Sequence, residues 1–122
     1  MIRISTVLSA AAVLLYSAPL SAQSVDKGQT AFTQCAMCHS TKVGEKKMGP
    51  SLAGVVGRKA GTVPGLTPPS PALAKSGKTW TSKELNTFLT APAKLVPGTR
   101  MTVNVADAAK RADIIAYLAT LK

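Results

Sequence analysis

The sequence holds one histidine and two cysteines in 122 residues, and all three fall within residues 35–39. That scarcity excludes a good deal. A structural zinc site wants four ligands of the Cys and His kind, and the chain offers no fourth. A disulfide framework needs pairs spread along the chain, whereas a Cys35–Cys38 bridge would close a very small loop and constrain little of the unfolded state. Period-two alternation is missing around the pair, so the βαβ setting of a thioredoxin-like Cys-x-x-Cys is missing as well. Beyond residue 22 the only aromatics are Phe32, Trp80, Phe88 and Tyr117, a thin core of the kind that small domains supplement with a staple or a cofactor. Acidic residues are scarce too, five against fifteen Lys plus Arg, for a formal net charge of +10. Such a surplus implies an anionic partner. The basic residues come singly or in pairs (Lys46-Lys47, Arg58-Lys59, Lys110-Arg111) and no DNA- or RNA-binding signature accompanies them, which argues against nucleic acid.

A long hydrophobic run is also lacking. The apolar stretch Ile4 to Leu15 follows Arg3, the only charge before Asp26, and closes on Ser17-Ala18-Pro19-Leu20-Ser21-Ala22. It is short against the roughly 20 residues of a spanning helix. A basic start, a short apolar segment and a small-residue end read as a cleavable export signal over residues 1–22, cut after Ala22. Residues 23–122 then form a single domain in the periplasm, with no stable insertion in the membrane after cleavage.

What is present is concentrated in Cys35-Ala36-Met37-Cys38-His39. Cys-x-x-Cys-His is the attachment signature for c-type haem. Three residues apart on a helical turn, two sulfurs lie on one side of the backbone and reach the two vinyl groups of one porphyrin. The adjacent His then comes under the iron as an axial ligand. A second ligand has to be found among the methionines. Met1 leaves with the signal, Met37 lies inside the motif, and Met48 sits close to His39 and so on the same side of the ring. Met101, in Val96-Pro97-Gly98-Thr99-Arg100-Met101, lies far enough along to return on the other face. Pro92, Pro97 and Gly98 predict a stiff extended loop before it.

The remaining pattern is helical. Ser24 caps a first helix expected from Val25 to Cys38, with Gly28 a minor interruption. A last helix, expected from Asp107 to Leu121, carries Ile114, Ile115, Leu118 and Leu121 at helical spacing. The two are expected to cross and pack through Phe32, Ile114 and Leu118. A third helix, Ser82 to Thr90, has Thr81 as its cap and Leu85, Phe88 and Leu89 on one face. The Pro-rich stretch from Pro64 to Pro71 reads as irregular.

With these residues in order, the chain resembles the class I c-type cytochromes, near the mitochondrial cytochrome c and bacterial cytochrome c2 branch. The resemblance rests on Lys27-Gly28 and Phe32, Cys35 through His39, Gly49-Pro50-Ser51-Leu52 and Gly57-Arg58-Lys59-Ala60-Gly61. It continues through Ser76-Gly77-Lys78-Thr79-Trp80, Pro97 through Met101, and Arg111 through Leu118. It implies an all-α fold, three to five helices wrapped around one covalently bound haem c, with the N- and C-terminal helices crossing. Cys35 and Cys38 are then the thioether attachments, and His39 and Met101 the axial pair. Pro50 supplies the carbonyl that receives the hydrogen bond of the proximal imidazole, and Arg58 and Trp80 hold an inner propionate. The chain departs from the branch at Leu66-Thr67-Pro68-Pro69-Ser70-Pro71, where a propionate-side Tyr is replaced and Ser70 is the hydroxyl at hand. It also departs at Leu73 and Phe88, which stand for an Asn and a Tyr and leave the methionine side drier.

The function these features imply is a soluble periplasmic single-electron carrier, a monomer and not an enzyme, because an iron with both axial positions filled changes valence without binding substrate. Lys42, Lys46, Lys47, Lys59, Lys94 and Arg100 are expected to frame the haem edge and to steer acidic redox partners such as a bc1-type complex, a terminal oxidase, a reaction centre or a dehydrogenase. The alternative is a cytochrome subunit held permanently in a periplasmic dehydrogenase complex, which would expose an apolar patch instead of charge. The resemblance further implies that Lys94 replaces the methionine at alkaline pH.

Overall fold

The computed structural model describes residues 24–63 and 70–122, together with Ala12. Residues 1–22, expected to be an export signal, and the tract Pro64 to Pro69 lie outside the described residues, Ala12 apart. Five helices follow one another: α1 (Val25–Ala31), α2 (Pro71–Lys75), α3 (Ser82–Thr90), α4 (Pro92–Leu95) and α5 (Ala108–Leu118). A 3-10 turn, Phe32–Gln34, continues α1. Among the described residues the only β-pairing is a single antiparallel bridge, Lys59 to Thr79.

The caps explain where the helices begin. Ser24 Oγ accepts from the Lys27 amide at 3.1 Å, Thr81 Oγ1 from Glu84 at 3.1 Å, and an Asp107 carboxylate oxygen from Lys110 at 2.9 Å. Each satisfies one of the first-turn N–H groups that a helix leaves without a partner. Asp107 is therefore the cap of α5 and not its first residue. The far end of α5 is also shorter than expected, closing after Leu118 through bonds from Thr120 to the Tyr117 carbonyl and from Leu121 to that of Leu118.

Further expectations need correction. The first helix does not run to Cys38 but stops at Ala31. Thr33 Oγ1 takes the Thr30 carbonyl at 2.8 Å, the group a further α-turn would use, and such back-bonding competes with the helix. The chain tightens instead, with the Cys35 amide on the Phe32 carbonyl at 2.7 Å and that of Cys38 on the Cys35 carbonyl at 3.0 Å. The loop before Met101 is likewise not wholly extended. Pro92 opens a short helix there, α4, and Pro71, expected to end an irregular stretch, opens α2 instead, because a proline at the first helical position lacks only an N–H that would be unpaired anyway.

α1 and α5 are packed together, and Gly28 is where they meet. A Cβ on Gly28 would lie 1.9 Å from the Asp113 carbonyl oxygen and 2.9 Å from the Tyr117 Cβ. Either side of that contact, the Ser24 amide donates to an Asp113 carboxylate oxygen at 2.8 Å and Phe32 meets Tyr117 edge to face, with ring centroids 5.4 Å apart. Phe32, Ile114 and Leu118 are buried as expected, Ile114 being only 1% exposed. Gly28→Ala is expected to cost about 3 kcal/mol, the upper end for forcing a methyl into a packed site. Guanidinium unfolding of the haem-loaded protein measures it, and a loss below about 1 kcal/mol would mean that the helices part freely.

Candidate functional site

The tight turn after α1 sets the chemistry of residues 35–39. The amides of Cys35 and Ala36 share the Phe32 carbonyl, and those of Cys38 and His39 share the Cys35 carbonyl. Lys47 Nζ reaches back to the Ala36 carbonyl at 2.8 Å and clamps the middle of the turn. Both cysteines are half-buried and unlinked. Burial, and after it the neighbouring Cys38, push the Cys35 thiol up, against a smaller pull from Lys110. A redox-active Cys-x-x-Cys needs its thiol pulled down. The rise in Cys35 runs against that reading.

His39 is held from below. Its Nδ1 lies 2.8 Å from the Pro50 carbonyl oxygen, and since a carbonyl only accepts, Nδ1 carries the hydrogen. Burial lowers the imidazole pKa, opposed by that bond. The ring is therefore neutral, with the Nε2 lone pair free to bind a metal. Gly49 makes this possible. A Cβ there would fall 2.5 Å from His39 Cε1 and 2.8 Å from Nδ1, so only glycine lets the chain pass against the ring. Gly49 is fixed in turn by its amide on the Cys38 carbonyl at 2.7 Å. The next residues are tied by Ser51 Oγ to the Lys42 carbonyl at 2.6 Å and by the Leu52 amide to that of Ser40 at 2.8 Å.

Arg58 and Trp80 are brought side by side by main-chain pairing. The Trp80 amide donates to the Arg58 carbonyl at 2.8 Å, and the Gly57 amide to the Trp80 carbonyl at 2.8 Å. The Arg58 guanidinium donates to the Ala53 and Ser51 carbonyls at 3.0 and 3.1 Å, and burial lowers its pKa. Two of its five N–H groups are used there, leaving three for an anion. Trp80 is buried against Phe88, with ring centroids 4.9 Å apart.

All seven candidate residues, Cys35, Cys38, His39, Pro50, Arg58, Trp80 and Met101, line one cavity of about 270 Å³. Its remaining wall is largely apolar and includes Phe32, Leu85, Phe88, Leu89, Ile114 and Leu118. Leu73 and Phe88, the two apolar departures, face this space, and so does Ser70, which is buried and whose hydroxyl does not cap α2. Met101 enters from the stretch between α4 and α5, half-buried. Met48 also reaches the rim, but it is 87% exposed and its Sδ lies 3.9 Å from Cys38 Sγ, on the cysteine side. Among the described residues no three His, Cys, Asp or Glu side chains are placed to hold an ion by themselves. Two thiols, a free imidazole nitrogen, a thioether and a guanidinium around an apolar slot fit a flat metallated macrocycle that bears carboxylates.

The family profile described as Cytochrome c matches residues 25–122. The chain belongs to the cytochrome c family. It is 50% identical over 91 residues to cytochrome c2 of Rhodopila globiformis, covering 74% of this chain and 85% of that one. It is 38% identical over 116 residues to cytochrome c2 of Rhodopseudomonas palustris, covering 82% of this chain and all of that one. Among solved structures, cytochrome cH from Methylobacterium extorquens superposes with a TM-score of 0.73 at 43% identity, over 80% of this chain and 98% of that one. The ferricytochrome c2 from Rhodopseudomonas palustris gives 0.71 at 36% identity, over 81% and 99%. As a cytochrome c2-like protein this cytochrome is an electron carrier, not an enzyme, and its cofactor is covalently bound haem c. What the sequence did not show is the local role of two of these residues: Lys47, read as a surface charge, bonds the Ala36 carbonyl, and Gly49 lies against the His39 ring. Gly49 stood in the motif beside Pro50, but its contact with His39 exists only in the folded chain.

Proposed function

We propose that this cytochrome is a soluble periplasmic shuttle, exported by residues 1–22, in which Cys35 and Cys38 hold the haem and His39 and Met101 complete the iron's coordination. The convergence of these four and of Pro50, Arg58 and Trp80 on one apolar cavity carries the reading. The haem, when bound, supplies a one-electron Fe(III)/Fe(II) couple. Pro50 accepts the His39 Nδ1 hydrogen and so fixes the ring and strengthens its donor nitrogen. Arg58, with Trp80 and Ser70 lining the same cavity, offers hydrogen bonds to a propionate that would otherwise be costly to keep ionised. Leu73, Phe88 and their neighbours exclude water from the methionine side. Exclusion of water favours the form of lower net charge, which is the reduced one.

Lys42, Lys46, Lys47, Lys59, Lys94 and Arg100 are all exposed, and Arg100 also lines the cavity. This supports a basic docking ring for acidic redox proteins in a bc1-type complex, an oxidase, a reaction centre or a dehydrogenase. Among the described residues no helix is long and apolar enough to cross a membrane. The bimolecular electron-transfer rate with an acidic redox protein is expected to fall about tenfold between roughly 10 and 150 mM salt, as the Debye length shrinks. Stopped-flow kinetics measure this. A rate indifferent to salt removes the docking ring, and copurification with a dehydrogenase at high salt turns the shuttle into a subunit.

A further inference from the structure

Arg111 is the only charged side chain counted as buried among the described residues, at 9% exposed. Its partners are all neutral. Nε donates to Asn86 Oδ1 on α3 at 2.9 Å, and Nη1 donates to the Val105 and Ala106 carbonyls, each at 2.9 Å. The only ion pair among the described residues joins Lys78 to Glu84 elsewhere. A buried cation without a counter-charge is costly, and apolar packing would stabilise a core at lower cost. What distinguishes this guanidinium is therefore what it holds.

It holds the chain that follows Met101. Val105 is buried and gripped at both polar groups, its amide on the Leu89 carbonyl at 2.8 Å and its carbonyl on Arg111. Upstream, the Thr99 amide bonds the Val96 carbonyl at 3.1 Å and the Met101 amide bonds Thr99 Oγ1 at 3.3 Å. Thr102, Val103 and Asn104 between these anchors are exposed and belong to no helix. Met101 thus hangs on a short span with one end fixed to α4. The other end is tied to α3 by the Val105 amide and by Asn104 Nδ2 on the Thr90 carbonyl at 3.5 Å, with Arg111 joining it to α3 and α5 together.

We propose that Arg111, oriented by Asn86, is a positioning residue that keeps Met101 on the iron by pinning residues 102–106. This rests on the reading of Met101 as ligand. Releasing the downstream anchor makes swinging Met101 away easier, so an added ligand competes better for the oxidised protein. Lysine keeps the charge but cannot span the three acceptors, because its ammonium is a single point and not a fork.

The test uses the haem-loaded oxidised protein and imidazole as the probe. Arg111→Lys is expected to bind imidazole about tenfold more tightly than the parent, Arg111→Met more tightly still, and Asn86→Leu roughly threefold. Ile115→Val, a methylene removed from the same helix away from these bonds, provides the control for mere destabilisation: lower denaturant resistance with parental imidazole affinity. Amide exchange at Val105 is expected to quicken in the Arg111 variants and not in the control. Should Arg111→Met fail to fold, the other two variants carry the comparison. Parental imidazole affinity in Arg111→Lys and Asn86→Leu, with stability lowered as in Ile115→Val, overturns the proposal and makes Arg111 a core staple. A parent without a sulfur–iron absorption band overturns the ligand reading instead, and unchanged Val105 exchange in Arg111→Lys overturns the pinning itself.

Discussion

Met101→Ala is expected to abolish the weak red charge-transfer band of the oxidised protein and to lower the midpoint potential by about 100 mV. At about 59 mV per tenfold for one electron, that is a roughly fiftyfold loss of preference for the reduced form. The cause is the soft thioether, which stabilises ferrous over ferric iron. Alanine removes the sulfur and also opens the cavity wall at the stretch between α4 and α5, so water enters the side that Leu73 and Phe88 keep apolar. Both changes favour the oxidised form. Spectra and a redox titration of the parent and variant measure the effect. A band that survives the substitution would move attention to Met48, whose sulfur stands beside Cys38.

Replacing Cys35 and Cys38 together by alanine is expected to leave a chain that carries no haem through denaturing electrophoresis and is largely unfolded at room temperature. The aromatic core is thin, and the cavity measures about 270 Å³. At about 24 cal/mol per Å³, an unfilled space of that size corresponds to about 6 kcal/mol. Domains of this size have only about 5–15 kcal/mol in all, so the polypeptide has little left without the group that fills the slot. Far-UV circular dichroism and the intact mass report both parts of the expectation. Each single variant keeps one thioether and retains the haem, whereas a double variant that still carried it through denaturation would show that the sulfurs are not the attachment.

Local signals were readable where the physics is local. Ser24 and Thr81 cap the helices that their hydroxyls predict, because a cap and its amide partner stand three residues apart. The first helix was read too long for a similar reason in reverse. Thr33 competes for a carbonyl through its hydroxyl, and apolar spacing does not register that competition. Pro92 reads as a breaker from one side and as a helix start from the other, and only the folded chain shows which side it serves.

For other residues the sequence did not show the role, because their partners are remote. Gly28 matters through the Asp113 carbonyl. Arg111 matters through Asn86 and the Val105 and Ala106 carbonyls. In the sequence, Gly28 is a weak spot in a helix and Arg111 one of fifteen basic residues.

By itself, then, the sequence determined the chemistry. Two thiols and an imidazole within five residues can serve one cofactor well and few others, and that selection follows from atom types and spacing alone. The tertiary structure decided the assembly. Which glycine lets two helices touch, which loop carries Met101 to the cavity, and that Arg58 and Trp80 meet through main-chain bonds are outcomes of burial. Hydrophobic burial is non-directional, so the spacing that marks Phe32, Ile114 and Leu118 as packing residues does not say where along α1 and α5 the two backbones touch.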